Sequence, residues 1–117
     1  MTTDETRDEL ARMDGWTLEE GEHHEWCPDD RSITTYPAVW IKGDDWITCH
    51  PHPPTLDGAN AAVPEGWTWS RTRYSWFGEH DDRVEMIQIP DTGNPMDDLY
   101  ALALACRKAM EEHNGKA

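Results

Sequence analysis

The sequence predicts an α+β fold: a mostly antiparallel sheet sandwiched between an N-terminal plus short middle helix and a long C-terminal helix, in a single domain over residues 1–117. Helix-capping signals stand near both ends of the chain, and strand-like alternation fills the middle. The clearest hairpin is apolar on both faces, so it calls for cover on both sides, which an open antiparallel sheet does not give it. A chain of this length buries about two-thirds of the surface its unfolded form exposes, enough for one core.

The elements follow in order. Thr2 with Glu5 makes a capping box for a short helix carrying Leu10 and Met13 on a thin apolar stripe and ending near Gly15. Asp4 and Glu5 lie in its first turn, where the helix dipole favours negative charge. Residues 16–26, "WTLEEGEHHEW", read as a polar strand or a pair of short strands, followed by a turn in "CPDDRS". "YPAVWIK", Gly43-Asp44 and "DWITCH" read as a hairpin whose two-residue turn needs positive φ, with Lys42 opposite Asp45. That register places Val39, Ile41, Trp46 and Thr48 on one face and Ala38, Trp40, Ile47 and Cys49 on the other. Trp40 and Ile47 are expected beneath one helix layer, Ile41 and Trp46 beneath another.

In "ITCHPHPP", residues 47–54, each histidine precedes a proline and is pushed into an extended conformation, while the prolines lack the N–H a ladder needs; the strand must end here. Thr55 caps a short helix in "LDGANAAV", closed by Pro64 and Gly66. "WTWSRTRYSWF", residues 67–77, alternates as a strand and is expected to pair with "RVEMIQI", residues 83–89, across "GEHDD". Asn94 as N-cap and Pro95 at the first helical position open a helix to about His113, with a stop at Asn114-Gly115. Met96, Leu99, Ala103, Cys106 and Met110 recur at the helical period and should face the sheet.

Composition narrows the function. The 24 acidic against 10 basic residues give a net charge of −14, which disfavours direct nucleic-acid binding and anionic membranes and favours a basic protein surface as partner. "MTTDETRDEL" has no signal-peptide features, and no apolar run is long enough to span a bilayer, so a cytoplasmic protein is expected. Cys27, Cys49 and Cys106 are odd in number and irregularly spaced, as reduced thiols would be.

Four groups of residues are candidates for a site. His50 and His52, two apart in an extended segment, could grip a metal ion if His23, His24 or Cys27 supplied further ligands. No zinc-finger or ribbon spacing is present, and the simpler reading is a buried Cys49, exposed pre-proline histidines and no cofactor. Catalysis finds no footing: Cys106 falls on a buried helical stripe, no Gly-rich elbow flanks Cys27 or Cys49, and Asp81-Asp82 and Asp97-Asp98 suit a loop and a helix first turn. Trp67 and Trp69, continued by Arg71 and Arg73, could stack bases or sugars, although tryptophans at strand positions are more often core. Last are Glu19, Glu20, Glu22, Glu25, Asp29 and Asp30. Residues 1–30 hold 11 acids and 2 bases, against 13 and 8 in the rest of the chain. These six gain nothing from a helix dipole, and like charges side by side cost a few tenths of a kcal/mol each. They are the partner-binding candidates, with plain solvation as the simpler reading.

Three stretches, "LARMDGW", "HPPTLDGANAAVPEGWTW" and "NPMDDLYALALACRKAMEE", resemble the phage ABA sandwich domain family of small phage and prophage proteins. The resemblance implies an α/β/α sandwich and brings no agreed activity and no functional residues. "EEGEHHEWCPDDRSITTYP" lies outside it. The expectation is therefore a non-enzymatic acidic protein-binding module of phage type in the host cytoplasm, an inhibitor occupying the basic nucleic-acid-binding surface of a host protein; the alternative is a zinc-stabilised structural or accessory domain.

Overall fold

A computed structural model describes residues 2–82 and 86–115, with side chains as far as Glu112. Among the described residues the fold is α+β, with three helices and two three-stranded antiparallel sheets. Its contacts divide into two compact units, Ala11–Pro51 and the pair of segments Met1–Leu10 and His52–Ala117. The first helix, α1 (Thr3–Met13), supplies residues to both and opens as expected, with the Glu5 N–H donating to Thr2 Oγ1 at 3.2 Å.

The unit Ala11–Pro51 is built on β1 (Thr17–Cys27), β2 (Ser32–Lys42) and β3 (Asp45–Ile47), in the order β1-β2-β3. The β2–β3 register is the expected one, pairing Lys42 with Asp45, Ile41 with Trp46 and Trp40 with Ile47 around Gly43 at φ +61°. Cover is less complete than two apolar faces suggested. Val39 and Trp40 are buried and Ile41 and Ile47 half-buried, but Trp46 is 48% exposed. It stands at the hairpin end beside Asp44 and Asp45, where a ring with one wet edge is tolerated. Cys49, expected beneath a helix, is exposed because β3 stops at Ile47 and leaves it beyond the sheet.

β2 begins earlier than its punctuation suggests, running from Ser32 straight through Pro37. Proline in a central strand removes a ladder bond. Here the ladder is already interrupted: β1 has a bulge between Glu20, opposite Ala38, and His23, opposite Tyr36, so that Gly21 and Glu22 together face Pro37. Gly21, at φ +122°, takes the conformation that this extra residue demands.

In the other unit, β4 (Trp67–Arg71), β5 (Ser75–His80) and β6 (Met86–Pro90) form the second sheet in that order. Residues 67–77 are thus two strands and not one. Thr72 makes the turn, its N–H donating to the Ser75 carbonyl at 2.8 Å and its Oγ1 accepting from the Ser75 N–H at 3.3 Å. Residues 83–85 of the expected last strand lie outside the described residues. α2 (Leu56–Ala62) is capped by Thr55, whose Oγ1 accepts from the Gly58 N–H at 2.9 Å. α3 (Pro95–Gly115) starts at the expected Asn94 cap and packs on α2, β5 and β6. Leu99, Ala103 and Cys106 of its stripe are fully buried, and Met96 and Met110 at the two ends are half-buried. The close approach of α3 to β5 depends on Gly78, where a Cβ would lie 2.9 Å from Cys106 Sγ.

Candidate functional site

All six acidic candidates are exposed. Glu19, Glu20, Glu22 and Glu25 lie on β1, and Asp29 and Asp30 in the turn that leads to β2. They do not share one face. Cross-strand partners lie on the same side of a sheet, so Glu19, opposite Val39, belongs to the side bearing Ile41 and Trp46. Glu20 and Glu25, opposite Ala38 and Thr34, belong to the other side, and Glu22 sits in the bulge. Strict alternation would have put Glu25 with Glu19; the extra residue reverses the sides beyond it. The same reversal carries His24 and Trp26 onto the side of Trp46.

Among the described residues, none of the six carboxylates pairs with a lysine or arginine. Glu25 accepts a hydrogen bond from the Tyr36 hydroxyl at 3.3 Å, and Glu22 lies 3.9 Å from His24. Lost hydration and the Glu25 charge raise the Tyr36 pKa above its ordinary value.

β1, β2 and the β2–β3 turn enclose an open hollow of about 290 Å³. Its floor is Val39, Ile41 and Trp46, and Glu19, Asp44 and Asp45 bring three carboxylates to it beside His23 and His24. His24 Nδ1 is 3.0 Å from Thr35 Oγ1, and His23 Nε2 is 3.2 Å from the Glu19 carbonyl. Lys42 is opposite Asp45 in register, yet its Nζ lies over the Trp16 ring, 5.8 Å from the centroid. Further along the same side, Trp26 and Ile33 pair at the hairpin tip, 58% and 64% exposed. Of the carboxylates in the hollow, Glu19 alone is one of the sequence-derived candidates. The turn residues Asp44 and Asp45 join it through the pairing of β1 with β2, which local alternation does not reveal. A second hollow, beside Trp16 and Leu18, has both Glu20 and Arg12 in its wall, so its charge is balanced.

The metal candidates are differently placed from expectation. Cys27 ends β1, half-buried, and His23 lines the hollow. His50 is half-buried, its ring 4.8 Å from that of Trp40. His52 is buried, contrary to the exposed position its prolines suggested: its carbonyl accepts from Arg7 Nε at 2.7 Å, and its ring lies edge-on to Tyr100. A partner 45 residues away decides that burial. Among the described residues, no group of three or more His, Cys, Asp or Glu side chains is arranged to hold a metal ion.

The thiols differ in environment. Burial pushes Cys106 up to about 11, whereas Cys49 is exposed. Iodoacetamide at neutral pH should therefore modify Cys49 in the native protein and Cys106 only after denaturation, as peptide mass mapping would read. Rapid native labelling of Cys106 would contradict its place in the core.

The tryptophan–arginine row is broken up. Trp67 is buried, and Trp69 is half-buried, with its Nε1 donating to Asn60 Oδ1 at 2.7 Å. Arg71 donates from Nε to Asp91 Oδ2 at 2.7 Å and lies over Trp76, and Arg73 falls in the β4–β5 turn over Tyr74. The Arg71 hydrogen bond holds the Asp91 carboxyl below its ordinary pKa. These tryptophans pack, as the simpler reading expected.

No protein-family model matches the chain, and neither a curated protein nor a solved structure does. Among the described residues, no helix is long and apolar enough to cross a membrane.

Proposed function

We propose that the protein is a non-enzymatic, acidic binding module that docks on a basic surface of another protein. The observation that carries this is the set of exposed carboxylates on β1 and its turn, none paired with a lysine or arginine among the described residues. Like charges gathered without counter-charges are favourable only in water or against an external cation, and such a surface steers a basic partner into contact. The other chemistry-bearing groups have structural work: Cys106 fills the core, and Asp98 accepts hydrogen bonds from Trp76 and Thr92. The resemblance to phage sandwich domains adds the sharper form, an inhibitor acting in the host cytoplasm by covering a nucleic-acid-binding surface.

Replacing Glu19, Glu20, Glu22 and Glu25 together by lysine tests it. Each site is exposed, so stability should change by less than about 0.5 kcal/mol per substitution. Affinity for a partner recovered from host lysate should fall by about ten-fold or more, association should slow as salt rises, and nucleic acid should compete. A partner whose affinity is indifferent both to the reversal and to added DNA or RNA would refute the inhibitor reading.

A further inference from the structure

We propose that the hollow between β1, β2 and the β2–β3 turn seats one arginine side chain of the partner; this rests on the binding-module reading and gives it a specific contact. At about 290 Å³ the hollow is at the small end of ligand pockets, the scale of a side chain and not of a folded segment. Val39, Ile41 and the half-exposed Trp46 offer an apolar floor for a methylene stem and a ring face for a cation. Glu19, Asp44 and Asp45 supply the opposite charge. The cation nearest in register, Lys42, lies over Trp16, and among the described residues no lysine or arginine pairs with these three carboxylates.

The chemistry selects the occupant. An anion would meet three carboxylates. A second copy would bring its own net charge of −14 against the same charge. Between the two basic side chains, arginine fits better, because its planar fork stacks on an indole while its edge donates to carboxylates; an ammonium does one or the other. Exposed Trp26 and Ile33 on the same side of the sheet offer apolar contact to whatever flanks that arginine, which makes its source a protein surface and not a free small cation.

The test is a titration of the full chain, followed by backbone-amide and indole NMR shifts, with Nα-acetylarginine amide, with its lysine counterpart and with a nona-arginine peptide. Acetylarginine amide should give saturable shifts centred on Glu19, His24, Asp45 and the Trp46 indole, with a Kd of about millimolar. The lysine compound should bind about three-fold more weakly. Trp46→Ala should weaken the arginine compound by about five-fold, and Asp45→Asn, which keeps shape and fold, by about three-fold. Shifts centred elsewhere, or an arginine affinity untouched by both variants, would overturn the proposal. If nona-arginine still binds both variants at full strength in a salt-dependent way, the hollow is wrong and the acidic module stands. If no basic probe binds even at low salt, both fail. Concentration-dependent self-association that shifts the same residues would show the occupant to be a second copy and overturn the arginine assignment.

Discussion

Asp98→Ala should lower unfolding free energy by about 3–5 kcal/mol, a large part of the roughly 5–15 kcal/mol that holds a domain of this size together. Asp98 is only 2% exposed and accepts three hydrogen bonds: from Trp76 Nε1 at 3.1 Å, from the Thr92 N–H at 3.0 Å and from Thr92 Oγ1 at 2.5 Å. It stands in the first turn of α3, where the helix dipole favours its charge. Alanine would leave the buried Trp76 indole N–H without this acceptor, at a cost of about 1–3 kcal/mol, and would remove the two part-buried bonds from the exposed Thr92, at about 1 kcal/mol each. Asn keeps one acceptor and turns a donor toward donors, so Asp98→Asn should recover only part of the loss. Chemical denaturation of Asp98→Ala, Trp76→Phe and the double variant would yield a coupling energy of about 1–3 kcal/mol. A single Asp98→Ala variant within 1 kcal/mol of the parent, roughly one ordinary hydrogen bond, would mean that the network contributes nothing beyond local solvation.

Gly58→Ala should also destabilise, although helix propensity alone would make alanine the better residue by about 1 kcal/mol. A Cβ at this position of α2 would lie 2.6 Å from the Pro53 carbonyl oxygen and 2.9 Å from the Tyr100 hydroxyl. Neither neighbour is free to withdraw. The Pro53 carbonyl accepts from the Thr55 N–H at 2.8 Å and from the Tyr100 hydroxyl, so moving it disturbs the cap of α2 and its seat on α3 together. Overpacking of this kind costs about 1–3 kcal/mol, and relief by repacking is small when the obstacle is backbone. A net loss near 2 kcal/mol corresponds to a fall in Tm of roughly 8 °C. Tyr100→Phe in the same chain should return little of it, since the closer oxygen remains. An unchanged or raised Tm for Gly58→Ala would show that the Pro53 segment yields.

What the sequence disclosed and what it withheld have a physical pattern. Thr55, Asn94 and Gly43 act within a few residues of themselves, through side-chain caps and a turn conformation, and each was readable where it stands. The α3 stripe was readable because helical periodicity is also local. The break of residues 67–77 into two strands was not, because Thr72-Arg73-Tyr74 continues the alternation without glycine or proline. The extension of β2 back from Tyr36 to Ser32 was not readable either, since the bulge that carries the ladder past Pro37 lies in another strand. The hollow depends on three strand segments at once. Of the residues it brings together, the Ile41–Trp46 pair could be inferred from the hairpin turn, but Glu19 and the two histidines could not.

The placement of β1 at the edge of its sheet has a consequence for solution behaviour. Eleven residues of edge strand present a row of backbone donors and acceptors on which another chain could add itself. Glutamates on both sides of that strand act as gatekeepers, since a second copy arriving in register would lay carboxylate against carboxylate. This guard depends on the magnitude of the charge and not on its sign. Lysine at the same positions would keep copies apart as glutamate does, whereas glutamine would open the edge to strand addition. Near the pI of about 4.5 the net charge on each copy vanishes, and with it the long-range part of the repulsion between copies.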